Sequence, residues 1–292
     1  MPGPDLQLIK ETFLVKEDGF ELGSPSKYCL SVEMGSTHLS FAIFDPVSRF
    51  LKQIGKLVFE FNEKKDSYSA LFSELLLKAE ILTPGYHSVY VTWNMPGATL
   101  VPVPFFNETN KEKLLSLNYT LSANQRILTE EVRSSGIKVI YAVPEPIKSF
   151  FDIHLSNHRL KHIATSLLEN QLLLNPKSNQ NIAFINVNDK NFNLLLTNKD
   201  GLRFFNTFEF QNTEDIIYYT LFAMDQNKFD PLNDRVILAG EIEAGSGSHQ
   251  MISRYIANLE FAITEKTIVR GEGLTTIPHH FYFNTINRFV CG

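Results

Sequence analysis

The chain has 292 residues, a length that suggests about two domains. Its formal net charge of −5 argues against a general nucleic-acid binder, and 43% hydrophobic against 20% charged residues excludes a disordered chain. No apolar run reaches the length of a membrane span, and Met1 to Phe13 lacks the apolar stretch of a signal peptide, so a cytoplasmic protein is expected.

Residues 1–26 read as a polar lead-in with one edge strand at 6–14. A meander follows: strands at 28–33, 38–44 and 50–61, the first two joined through Glu33-Met34-Gly35-Ser36-Thr37. Ser67 opens a helix to residue 82, with Leu71, Leu75 and Leu82 at helical spacing, and Pro84-Gly85 stops it. A strand at 87–94 precedes an extended, proline-broken segment at 98–105. Residues 124–134 read as a helix and 137–143 as a strand. Pro144 and Pro146 suit the first turn of a helix that runs from Ile147 to about Leu174.

The pattern then restarts. "NIAFINVNDKNFNLLLTNKDGLRFFNTFEF" (181–210) follows the element order of 28–59 about 153 positions later, with Asn186-Val187-Asn188 where Glu33-Met34-Gly35 stood. A helix at 213–224, a strand at 235–238, a Gly/Ser loop, a helix at 249–259, short strands near 261–263 and 267–269, and a terminal element near 281–290 complete the chain. Each half is a meander followed by alternating helix and strand. The simplest closure is an α/β protein of two similar halves, each a mixed five-stranded sheet with flanking helices, divided as 1–26, 27–175 and 176–292.

This order resembles the actin-like ATPase superfamily of actin, Hsp70 and sugar kinases, whose halves are ribonuclease-H-like. Four stretches carry the resemblance: "LSVEMGSTHLSFAIFD", "IYAVPEPIKSFF", "IAFINVNDKNFNLLLTNKDGLRF" and "RVILAGEIEAGSGSHQMISRYI". Within the superfamily the chain is most similar to an uncharacterised bacterial family, near the cell-division and pilus-assembly branch. The resemblance implies a nucleotide cleft between the halves, gripped by one hairpin from each. Each hairpin usually carries Asp-x-Gly: the glycine admits backbone N–H groups to the phosphates, and the carboxylate holds Mg²⁺. Glu33, Gly35, Ser36 and Thr37 occupy these places in the first hairpin. In the second, the acid is Asn186 and the glycine is Asn188, and a neutral amide replaces neither a metal carboxylate nor a base. Asp189 lies further along, where strand alternation would point it to the other face. The loop with Gly240, Gly245, Ser246 and Gly247 would meet the adenosine side. Two readings of each feature stand: for the first hairpin, phosphate contact or a tight turn with a positive-φ glycine; for the loop, anion binding or a surface loop with Ser248 as N-cap.

Other chemistry is sparse. His154, His158 and His162 would share one helix face at i, i+4, i+8, a pattern open to Zn²⁺ or Ni²⁺ or to a solvated surface. Cys29 and Cys291 make no disulfide framework, and two glycosylation sequons mean nothing without secretion. These residues are compatible with three functions. The expectation is a non-enzymatic scaffold or adaptor with no cofactor, an unidentified protein partner, possible homodimerisation, no nucleic acid and no membrane span. The alternative is a weak ATP–Mg-binding switch without efficient hydrolysis. A small-molecule kinase stands behind both, because neither hairpin supplies a catalytic Asp.

Overall fold

The computed structural model describes residues 8–132, 135–174 and 180–289. In chain order, β1 (Ile9–Lys16), β2 (Cys29–Gly35), β3 (His38–Asp45) and β4 (Phe50–Phe59) precede α1 (Tyr68–Lys78) and β5 (Ser88–Asn94). An insertion follows: β6 (Ala98–Pro102), α2 (Lys111–Ser116), β7 (Gln125–Val132) and β8 (Ile137–Pro144). The first half closes with α3 (Glu145–His154), β9 (His158–His162) and α4 (Ile163–Leu174). Then come β10 (Ile182–Val187), β11 (Asn191–Asn198), β12 (Gly201–Glu209), α5 (Thr213–Gln226), β13 (Arg235–Gly240), α6 (Gly247–Ser253), β14 (Leu259–Phe261), β15 (Val269–Arg270) and α7 (Phe283–Asn287). Among the described residues no helix is long and apolar enough to cross a membrane.

The first sheet has the order β1-β4-β3-β2-β5-β9, with β15 pairing β4. It has seven strands, not the expected five, because the lead-in adds β1 at one edge and the C-terminal region returns β15 to it. β2 is buried along its whole length, as a central strand with both faces covered must be. One face packs Leu30 and Val32 against Leu71 and Leu75 of α1 and Phe150 of α3. The other packs Cys29, Ala42 and Phe44 against Leu274, Ile277 and Ile286 from the C-terminal region. The second sheet, β12-β11-β10-β13-β14, is the mixed five-stranded sheet expected, with β10–β13 parallel and the meander antiparallel. Its core joins Ile185, Leu194 and Leu238 to Ile216 and Met224 of α5 and Ile252 of α6.

The insertion departs from the sequence reading. Residues 125–132 form β7, not a helix, and Ser134 lies outside the described residues, as does Cys291. β7 pairs with β8 from Gln125↔Pro144 to Val132↔Ile137, and β6 completes a separate three-stranded sheet. Pairing with the next strand, β8, overrides the local helix preference of "RILTEEV".

The long helix from Ile147 is also interrupted. Asn157 takes a left-handed φ of 59°, and His158–His162 becomes β9, a parallel edge strand on β5. The three histidines therefore share no helix face. His154 ends α3 with its ring 4.9 Å from Phe150; His158 Nδ1 and His162 Nε2 lie 2.9 and 3.0 Å from the carbonyls of Leu155 and Met95. Among the described residues no three His, Cys, Asp or Glu side chains gather as a metal site. The helix expected to begin at His249 is the short α6, with Ser246 rather than Ser248 as its N-cap, accepting the His249 N–H. Ser248 Oγ instead meets Thr213 Oγ1 at 2.8 Å.

Candidate functional site

The β2–β3 and β10–β11 hairpins face each other across the halves. Met34 pairs with Leu39 and Val187 with Phe192, so both turns have the same length and Glu33 and Asn186 occupy matching positions. Cross-strand pairing then sets a polar row in each sheet. In the first it runs Thr92–Glu33–Ser40–Lys56; in the second it is Asn186–Asn193–Thr207, with the apolar Ala239 beside Asn186. Each row stands between strongly apolar neighbours, and all but Thr207 are buried.

His38 fills the space over the first turn. A Cβ on Gly35 would lie 2.5 Å from His38 Cε1, so this position requires glycine by close approach. Gly35 does not have positive φ, which corrects the tight-turn reading. The imidazole sits between two carboxylates at ion-pair distance, Nε2 3.6 Å from Glu33 Oε1 and Nδ1 3.5 Å from Asp189 Oδ2. Burial pulls the His38 pKa down, but Asp189 and Glu33 outweigh it and hold it above the ordinary value.

Asp189 turns into the cleft. β10 ends at Val187, so Asp189 lies in the turn and strand alternation does not govern it. It accepts from Thr37 Oγ1 at 3.0 Å and from Lys56 Nζ at 2.9 Å. Lys56 also donates to both carboxylate oxygens of Glu241 at 2.8 Å. Burial disfavours the Lys56 ammonium, yet Glu241 and Asp189 raise its pKa above the usual value. Burial likewise opposes the Asp189 carboxylate, yet His38 and Lys56 drive its pKa well below the usual range. The result is a continuous charge chain, Glu33–His38–Asp189–Lys56–Glu241, that ties the first sheet to the second half.

An amide network completes the floor. Asn94 donates to Glu33 Oε1 at 2.8 Å and to Asn188 Oδ1 at 3.3 Å; Asn186 donates to Asn193 Oδ1 at 2.9 Å, and Asn193 to Thr207 Oγ1 at 3.0 Å. The C-terminal segment closes the back: Thr285 Oγ1 lies 2.9 Å from Ser40 Oγ, and the Gly240 N–H bonds the His280 carbonyl. The remaining cavity, bounded by Glu33, His38, Lys56, Asn186, Glu241 and Tyr282 among others, has about 30 Å³. That is room for a water molecule.

Of the residues singled out from sequence, Glu33, Asn186, Asn188 and Gly240 line this cavity. Gly240 is fixed by geometry: its φ is +92°, and a Cβ would lie 1.9 Å from the Val187 carbonyl oxygen. Ser36 is half-buried in the turn, and Thr37 is committed to Asp189. Gly245, Ser246 and Gly247 are not brought to the cavity; they shape the start of α6, where Gln250 Nε2 bonds the Gly245 carbonyl at 2.7 Å. His38, Lys56, Asn94, Asn193 and Glu241 escaped the sequence reading. One signal existed for two of them: Lys56 and Asn193, like Ser40, interrupt apolar strands on the same face as Glu33 or Asn186.

Two hairpins gripping one cleft, one at the head of each mixed sheet, define a protein of the actin-like ATPase fold, and solved structures agree. A Bacteroides thetaiotaomicron protein with actin-like ATPase fold and unknown function matches with a TM-score of 0.71 at 18% identity, over 83% of this chain and 93% of that one. A chain of the PilM–PilN type IV pilus biogenesis complex gives 0.56 at 13% identity, over 91% and 98%. The ethanolamine utilization protein EutJ from Carboxydothermus hydrogenoformans gives 0.50 at 10%, over 91% and 89%. The chain belongs to the DUF3822 family, described as proteins of unknown function, whose model matches residues 17–259. No curated protein matches it by sequence.

Proposed function

We propose that this chain is a non-enzymatic cytoplasmic adaptor, an actin-like frame whose nucleotide cleft is degenerate and whose task is to hold a protein partner. One observation carries the reading: the cleft is filled by its own side chains. His38 covers Gly35, Lys56 is held by Asp189 and Glu241, and about 30 Å³ remains. Ligand pockets usually offer about 300–1,000 Å³. Asn186 stands where a second carboxylate would be needed, and its amide is bonded to Asn193. Mg-ATP therefore fits these residues poorly, and no catalytic step is derived through it. The PilM–PilN complex supports a partner-binding use of this fold.

The weak-switch alternative keeps one point in its favour, the Glu33 carboxylate and Gly240 on the same cavity. It requires His38 to leave Gly35 and Lys56 to release Glu241. Phosphate release from Mg-ATP by the full chain separates the readings. The adaptor reading expects a rate indistinguishable from protein-free buffer. Release that Glu33→Gln abolishes overturns it.

A further inference from the structure

Two sheet edges face each other across a second, much larger groove. β6 of the insertion forms one wall and β12 of the second sheet the other, and the groove encloses about 810 Å³. The two edges differ in what they leave open. In β6 the Val103 N–H bonds the Gly136 carbonyl, so alternation turns the main chain of Thr99 and Val101 toward β8 and that of Ala98, Leu100 and Pro102 outward. Pro102 has no N–H, and the Tyr119 ring packs beside Gly97 at the other end of the strand. That edge is blunted in the way proteins protect exposed strands.

β12 is different. The Phe210 N–H bonds the Lys190 carbonyl, which directs the main chain of Phe204, Asn206 and Phe208 to β11. Phe205, Thr207 and Glu209 therefore present theirs to the open edge. The Thr207 N–H bonds Asn206 Oδ1 at 2.9 Å, a side-chain contact that a strand could replace. A bulge between Leu202 and Phe204 leaves Arg203 with no partner residue on β11, and its side chain is exposed at the groove. Among the described residues no acidic side chain lines the groove with it, in a chain whose formal net charge is −5.

We propose that β12 receives an extended segment of a partner protein as a sixth strand of the second sheet, and that Arg203 pairs with an acidic residue of that segment. Main-chain bonds at Phe205 and Glu209 supply the affinity, and Arg203 selects an acidic residue at its own end of the strand, away from the exposed Glu209 carboxylate. β6, with its blunted edge, is the opposite wall. The proposal rests on the adaptor reading and gives that adaptor its partner class.

The probe is a phage-displayed library of random peptides panned on the full chain, with enriched peptides resynthesised. The expected peptides alternate apolar and polar residues and carry Asp or Glu. Arg203→Glu, a change at an exposed site, weakens them by about tenfold or more, and replacing the peptide's acid with Lys restores binding to that variant. On the unaltered chain, bound peptide slows hydrogen exchange at Phe205 and Glu209. No enrichment overturns the proposal, as do peptides that ignore Arg203→Glu and protect no β12 amide. A concentration-dependent dimer that Arg203→Glu disperses overturns it in favour of a second copy as occupant. Peptides that bind elsewhere leave the adaptor reading standing; Glu33-dependent phosphate release removes that reading without touching the groove.

Discussion

Lys56→Met isolates the interaction that holds the cleft shut. The methionine keeps most of the aliphatic stem and removes the ammonium that bonds Asp189 at 2.9 Å and Glu241 at 2.8 Å. A fully buried ion pair broken on one side costs about 3–5 kcal/mol, and an exposed one about 0–1. Here the Lys56 side chain is 7% exposed, but Asp189 is 28% and Glu241 36% exposed, so each carboxylate regains water once released. The expected loss is intermediate, about 2 kcal/mol. Urea denaturation reads it directly: with a slope near 3 kcal/mol per molar, the midpoint falls by about 0.7 M at unchanged slope. Combining Lys56→Met with Glu241→Gln should cost less than the sum of the two, because both remove one interaction. A loss below about 0.5 kcal/mol, or strict additivity, would mean that this chain of charges behaves as surface decoration, and the account of a clamped cleft would fail.

Two other variants probe neighbouring contacts. Gly35→Ala drives a methyl into the His38 ring and should destabilise by about 1–3 kcal/mol, while His38→Ala in the same chain should remove most of that penalty; equal costs in both backgrounds would refute the close approach as the reason for glycine. Glu130 lies at the junction of the insertion with the first sheet, accepting the His162 N–H at 2.8 Å; burial pushes its pKa up to about 7, against the lowering effect of Tyr141, Thr165, His162 and Arg288. A raised acid holds its proton more tightly when folded, so its contribution is complete below the ordinary pKa of 4.5 and is lost as pH rises through 7. Glu130→Gln should therefore gain on the natural chain by at most about 3 kcal/mol between pH 4.5 and 8, and parallel pH–stability curves would contradict the burial.

The two-halved plan was legible because each meander is written in local alternation and turn residues. The matching of Glu33 with Asn186 survives in the strand register itself. What was not legible depends on distant pairing. β9 reads as part of a helix because "HRLKH" is polar and short; only its docking on β5, from Val89↔His158 onward, makes it a strand. β7 is the exception: it pairs only with the next strand, β8, and reads as a helix because "RILTEEV" lacks strict apolar–polar alternation. Lys56 looks like an ordinary outward lysine of an edge-like strand, and nothing local says that Asp189 and Glu241, 133 and 185 residues away, will bury it. Asp189 reads to the wrong face because nothing local marks Val187 as the end of β10, and one position decides between strand alternation and a free turn.

A cleft filled by His38, Lys56 and Glu241 is expected to exclude nucleotide, and equilibrium binding measures this. Thermal unfolding of the full chain is followed with about 5 mM Mg-ATP, Mg-ADP or neither; a ligand at a hundred times its Kd adds about 2.7 kcal/mol, a shift of several degrees. Melting curves with and without nucleotide should coincide. A nucleotide-dependent rise that Gly35→Val abolishes would contradict this exclusion and make this chain an ATP-binding switch.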